Sequence, residues 1–223
     1  MDIDPRLEDA SSHASRSVRP PTPPPPVTAR PIPTAALILY ALLLALGLGI
    51  GSAYAVLDGD PPFGSRRLGP WQAWPKLGSP QADPYMRAIV ARRGDIPLAT
   101  GEGLALTALV DKDGRRLDSA CSYRIGSSTP AARWWTLTVY DAAGRLAQSD
   151  LGRSGFTSSE ILRDARNGFS IALSRHLSAG NWLQLPASGP FIVVLRLYDI
   201  PGAAGLNLNA EDLPTIERVE CGA

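Results

Sequence analysis

Two cysteines and two histidines among 223 residues leave little from which to build a metal or redox centre. Cys121 and Cys221 lack CxxC spacing and His13 and His176 are far apart, so no metal and no cofactor is expected. A charge bias is also missing. Lys and Arg number 22 against 21 Asp and Glu, so nothing draws the chain to phosphate backbones, and no nucleic-acid partner is expected. Catalytic signatures are absent as well: there is no GxSxG, no P-loop, no GxGxxG opening a helix after a strand and no HExxH. Without a βαβ rhythm or an internal repeat, doubly wound and solenoid architectures are excluded.

What the chain does have is one long apolar run. Ala35 to Leu57, AALILYALLLALGLGIGSAYAVL, holds 23 residues without a charge. As a helix it would span about 34 Å, enough for a hydrocarbon core of about 30 Å. Lipid offers backbone groups no partners, so only a helix crosses alone. Residues 1–34 before it are proline-rich, with a run Pro23 to Pro26, and are expected to form a disordered cytoplasmic tail and solvated spacer. Arg16, Arg19 and Arg30 before the run, against Asp58 and Asp60 after it, favour a cytoplasmic N-terminus. The competing reading is a signal peptide cleaved after Ala53-Tyr54-Ala55, but the run exceeds an ordinary apolar region of about 7 to 15 residues. An uncleaved single-pass anchor at 35–57 is expected. Gly47 and Gly51 form a GxxxG pair in it, a spacing that also arises by chance in such helices.

Residues 58–70 read as a Gly/Pro-rich linker, and 71–223 as one β domain with an irregular entry. Asp83 as N-cap, Pro84 at N1, apolar Tyr85, Met86, Ile89 and Val90, and Gly94 beyond the end predict a helix over 84–93. Its Arg87, Arg92 and Arg93 are expected on a wet face. Strands are expected at 104–110, 121–125, 133–140, 169–173, 191–198 and 215–221, separated by turns at Asp113-Gly114, Ala142-Ala143-Gly144 and Asn167-Gly168. A helical turn is expected at 158–162 and a loop or edge at GNWLQLP. Strand 191–198 is apolar on both faces apart from Arg196, as in a central strand. The fold class is therefore mainly β, an antiparallel β-sandwich of jelly-roll type with one short helix, preceded by a transmembrane helix.

On RWWTLTVY, period two puts Trp135, Leu137 and Val139 on a core face and Trp134, Thr136, Thr138 and Tyr140 on the other. Trp134 and Tyr140, with Arg196 and Tyr198 of the strand ending FIVVLRLY, are candidate ligand-binding residues for a sugar or another flat molecule. The bland alternative is that these rings cover the sheet against helix 84–93. Catalysis, if any, would use carboxylates as acid and base on an envelope glycan, with Asp141, Asp199 and Glu160 the candidates. His176 reads as a surface loop residue. An oxidising compartment would make Cys121–Cys221 a disulfide.

The run GPWQAWPKLGSPQADPYMRAIVARRGDIPL, with GEGLALTA, RWWTLTVYDAAGRL, GNWLQLP and PFIVVLRLYD, resembles the bacterial domain of unknown function 1214 family in its membrane-anchored version, over about Leu68 to Cys221. The resemblance implies a jelly-roll β-sandwich, a Gram-negative envelope location and no assigned activity or catalytic residue. The resulting expectation is an inner-membrane protein whose domain lies in the periplasm. It would serve as a binding or accessory module, with the bilayer and an envelope protein or glycan as partners.

Overall fold

The computed structural model describes residues 33–94, 96–127, 132–200 and 208–222. The proline-rich tail lies outside the described residues. Helix α1, Thr34–Leu57, is long and apolar enough to cross a membrane, and none of its residues is buried in protein. A helix apolar on all sides gains nothing from facing water.

The ten strands described form two sheets. The larger contains β1 (Arg66–Leu68), β2 (Trp71–Ala73), β3 (Gly103–Ala108), β5 (Trp134–Asp141), β6 (Gly155–Thr157) and β9 (Phe191–Tyr198), in the order β1-β2-β3-β9-β5-β6. The smaller orders β4 (Cys121–Ser127), β7 (Phe169–Ser174), β8 (Asn181–Gln184) and β10 (Thr215–Cys221) as β10-β4-β7-β8. The inward positions of both sheets make one core. Trp135, Leu137, Val139, Val193, Leu195 and Leu197 meet Tyr123, Ile125, Ile171, Leu173 and Ile216 there. Ring pairs cross between the sheets, Trp135 with Phe169 at 4.8 Å and Tyr123 with Phe191 at 5.5 Å.

Several expectations need correction. The smaller sheet is mixed, because β7 and β8 run parallel after a return through residues 175–180. The hairpin-like spacing around Asp113-Gly114 joins strands of different sheets, since β3 pairs with β2 and β9 while β4 pairs with β7 and β10. No helical turn forms at 158–162. Instead β6 pairs with β5, and Asn181 clamps the chain beyond β6, accepting from Leu162 N–H at 2.8 Å and donating to Leu162 O at 2.8 Å. The stretch expected as a linker, 58–70, contains β1 and buries Pro61, whose carbonyl accepts from Trp74 Nε1 at 3.1 Å.

Helix α2, Pro84–Arg93, has the expected ends: Asp83 Oδ1 accepts from the amides of Tyr85 and Met86, and Gly94 takes φ 68°. Met86 and Ile89 are buried apart from the central core, whereas Tyr85, expected on the apolar face, is exposed.

Candidate functional site

Strands β9 and β5 are neighbours in antiparallel register, Trp134 opposite Tyr198, Thr136 opposite Arg196, Thr138 opposite Val194 and Tyr140 opposite Ile192. Because side chains alternate, all eight of these residues share the outer face of the larger sheet, behind the core. Each is partly or fully exposed, Trp134 the most at 51%. Arg196 Cζ lies 5.7 Å from the Tyr140 ring centroid, a cation held over a π face. The four residues singled out by periodicity are thus brought onto one surface, an aromatic pair at one end and an Arg–Tyr pair toward the other. Gly103 flanks Tyr198 on β3, and a Cβ there would stand 2.1 Å from Leu197 O, so only glycine lets β3 close against β9.

The candidate carboxylates do not converge in the same way. Asp141 is opposite Phe191 and Asp199 comes directly after Tyr198, so they lie at opposite ends of the β5–β9 pair. An eight-residue strand at about 3.4 Å per residue separates them by roughly 24 Å, far beyond the 5 to 9.5 Å of a glycosidase pair. Glu160 Oε2 accepts from Thr157 N–H at 3.3 Å and closes the turn after β6. Asp199 faces Arg133 at 3.5 Å with both side chains well exposed. Asp141 has both oxygens occupied: Oδ1 accepts from the amides of Ala143 and Arg145, and Oδ2 from Arg145 Nε at 2.9 Å. The Arg145 amide, then its guanidinium and the Ala143 amide, outweigh partial burial and hold the Asp141 carboxyl below its ordinary pKa. A proton donor near neutral pH needs the opposite shift.

A second carboxylate, Asp111, escapes sequence reasoning. It is fully buried and repeats the Asp141 pattern in DKDGR, taking the amides of Asp113 and Arg115 on Oδ1 and Arg115 Nε on Oδ2. Arg218 of β10 adds an ion pair, its Nε 3.1 Å from Oδ2 but not aligned as a hydrogen bond. Burial pushes the Asp111 carboxyl up, and the amides of Arg115 and Asp113 with the Arg115 guanidinium more than reverse it, so its pKa is lowered. The legible signal was the Asp-x-x-Gly-Arg pattern at 111–115 and 141–145, which marks both aspartates as turn builders.

On the smaller sheet, Arg124, Gly126, Phe169, Ser170, Thr215 and Glu217 line a shallow depression of about 320 Å³. Cys121 and Cys221 are joined as a disulfide across the β4–β10 pair. Among the described residues no cluster of His, Cys, Asp or Glu is placed to hold a metal.

Comparison with known proteins finds a family model that matches part of this chain. Residues 102–202 match DUF1214, a protein of unknown function. The matched region holds β3 to β9, the aromatic and arginine candidates and the candidate carboxylates, while α1, α2, β1, β2, β10 and Cys221 lie outside it. Among solved structures, the chain is similar to the VPA0106 protein from Vibrio parahaemolyticus, with TM-score 0.51 and 21% identity over 61% of this chain and 35% of that one. It is also similar to a putative uncharacterized protein from Burkholderia cenocepacia, with TM-score 0.40 and 15% identity over 82% of this chain and 53% of that one. The chain thus spans about a third and about half of those two chains, and the first shows a shared fold alone. No curated protein matches the chain.

Proposed function

We propose that this chain is a single-pass inner-membrane protein that presents its DUF1214 domain in the periplasm as a binding module. The face offered is the outer surface of β5 and β9, and the ligand is an envelope glycan or another flat molecule. One observation carries the reading. Trp134, Tyr198, Arg196 and Tyr140 occupy one open sheet face, although the opposite sides of the same strands already supply the core. Aromatic faces flanked by a guanidinium stack on sugar rings and hydrogen-bond their hydroxyls. The disulfide supports an oxidising compartment and α1 supports the anchor.

The test is a titration of the full detergent-solubilised chain with soluble peptidoglycan fragments, read by tryptophan emission. A saturable change that disappears in Trp134→Ala and weakens in Arg196→Ala supports the reading. A saturable change untouched by both substitutions moves the ligand elsewhere, and release of shortened glycan products replaces binding with hydrolysis. Protease added to spheroplasts tests topology: digestion beyond Gly59 is expected, and protection reverses the orientation.

A further inference from the structure

The segment joining α1 to the sheet is not slack. Only residues 58–65 separate α1 from β1, and they are tied down almost throughout. Pro61 is buried and bonded to Trp74, and Met86 Cε lies 3.1 Å from where a Cβ on Gly64 would stand. Arg93 donates to Gly59 O at 2.8 Å and pairs with Asp60 at 3.2 Å. Arg92 bridges directly to α1: it pairs with Asp58 at 3.1 Å and stacks 4.5 Å over the ring of Tyr54, in the last turn of the helix. The last turn of α1, residues 58–64 and α2 therefore form one knot.

This knot has an unusual surface. Beyond α1, the exposed aromatic side chains among the described residues are Phe63, Tyr85 and Trp134, and the first two belong to the knot, at 62% and 46% exposure. Tyr85 lies two turns from Arg92 on the same side of α2, which is the side that meets Tyr54. Ile96, just beyond α2, is exposed at 96%. Charge is concentrated here as well. Between Tyr54 and Gly94 stand six Lys or Arg against three Asp, whereas residues 95–223 carry 12 Lys or Arg against 14 Asp or Glu. A nearly neutral chain thus places its positive excess in the segment that follows its apolar helix: Arg92 and Arg93 are paired with Asp58 and Asp60 within the knot, and Arg66, Arg67 and Lys76 come from the chain that leads on from it. Aromatic side chains gather at membrane interfaces, and basic clusters beside a span are drawn to anionic headgroups.

We infer that the knot rests on the bilayer, with Phe63 and Tyr85 in the headgroup layer and the surrounding basic residues against anionic lipid phosphates. The inference rests on the reading of α1 as a membrane span. α2 is not an inserted helix, since Met86 and Ile89 face protein; it is a foot that fixes the attitude of the domain on the membrane. The strands run away from it, because the register Arg66–Ala73–Leu106–Leu195 brings the chain into β1 from the Tyr198 end of the sheet.

Nitroxide accessibility tests this in the full chain. Both native cysteines are tied in the disulfide, so Phe63→Cys, Tyr85→Cys, Leu43→Cys and Leu177→Cys each carry one labelling site without reduction. Leu43 lies within α1, and Leu177 is exposed in the return between β7 and β8. In vesicles of phosphatidylethanolamine with phosphatidylglycerol, labels at 63 and 85 are expected to show an oxygen-to-nickel accessibility ratio severalfold above that at 177. Replacing both lipids by phosphatidylcholine should lower the ratio at 63 and 85 and leave that at 43 unchanged. Ratios at 63 and 85 equal to that at 177, with 43 still lipid-exposed, overturn the docking and spare the span. Aqueous values at all four sites overturn the span and the docking with it. Docking of equal strength on phosphatidylcholine overturns the role of anionic phosphate.

Discussion

Two turns in this domain share an Asp-x-x-Gly-Arg pattern and a backbone, and differ in what is packed on them. In DKDGR at 111–115 and DAAGR at 141–145, the aspartate takes the amides two and four residues on, and the arginine Nε returns to its other oxygen. Gly114 and Gly144 occupy the left-handed position, at φ 79° and 75°. Asp111 is nevertheless buried and Asp141 is not. The first turn is clamped to β10: Lys112 N–H reaches Ile216 O at 2.9 Å, Lys112 Nζ pairs with Glu217, and Arg218 reaches both Asp111 and Arg116 O. That clamp joins the end of β3 to the opposite sheet, whereas the second turn caps only its own hairpin. The difference teaches that a local motif sets the geometry of a turn, while the elements packed on it decide how much stability rides on the carboxylate.

Reducing the disulfide should separate the two turns most. It removes a closure of 100 residues, about 4.7 kcal/mol in the chain-entropy model, and releases the end of β10. Amide exchange should accelerate at 111–117 and β10 and stay slow at 141–147; equal acceleration at both turns would break the comparison. Asp111→Ala comes next. Stranding Arg218 and two turn amides costs about 3 to 5 kcal/mol by denaturant titration. Arg218→Met keeps the stem, loses the ion pair and the bond to Arg116 O, and should cost about 1 to 3 kcal/mol. Asp141→Ala should shift the midpoint least, because water replaces the lost acceptor at that exposed turn; a loss matching that of Asp111→Ala would mean burial is not what sets the cost.

Acid sharpens the same contrast. The folded pKa of Asp111 lies below its ordinary value of 3.8, so the unfolded chain binds the extra proton. The stability it contributes is complete above about 3.8 and is lost as pH falls through the folded pKa. An acid titration followed by circular dichroism should show a shallower loss below that pH in Asp111→Ala than in the parent chain.

Much of this was legible because the signals were local. Asp83, Pro84 and Gly94 specify α2 through cap chemistry, and alternation on β5 and β9 sorts Trp135, Leu137, Val193, Leu195 and Leu197 into the core. The same alternation groups Trp134, Tyr140, Arg196 and Tyr198 on one face. The misses are elements defined by partners. β1, β2 and β6 have three residues each, too few for a period to show, and exist because β3 and β5 offer edges to pair with. Parallel pairing of β7 with β8 is likewise invisible in a pattern that looks the same in either direction. Asp111 was missed because its burial depends on Arg218, a residue 107 positions later in the numbering.

Strand β4 lies between β7 and β10, and the residues that finish its second edge come late: Thr215 Oγ1 bonds Gly126 O across 89 positions. A chain made from its N-terminus therefore passes through a stage in which β3 to β9 are available and one edge of β4 is open. An unpaired edge beside apolar residues such as Tyr123 and Ile125 is a template for pairing with another molecule. Synthesis of this domain thus has a vulnerable interval that ends only when β10 docks, and truncations before Thr215 should drive the product into aggregates even though the aromatic face is intact.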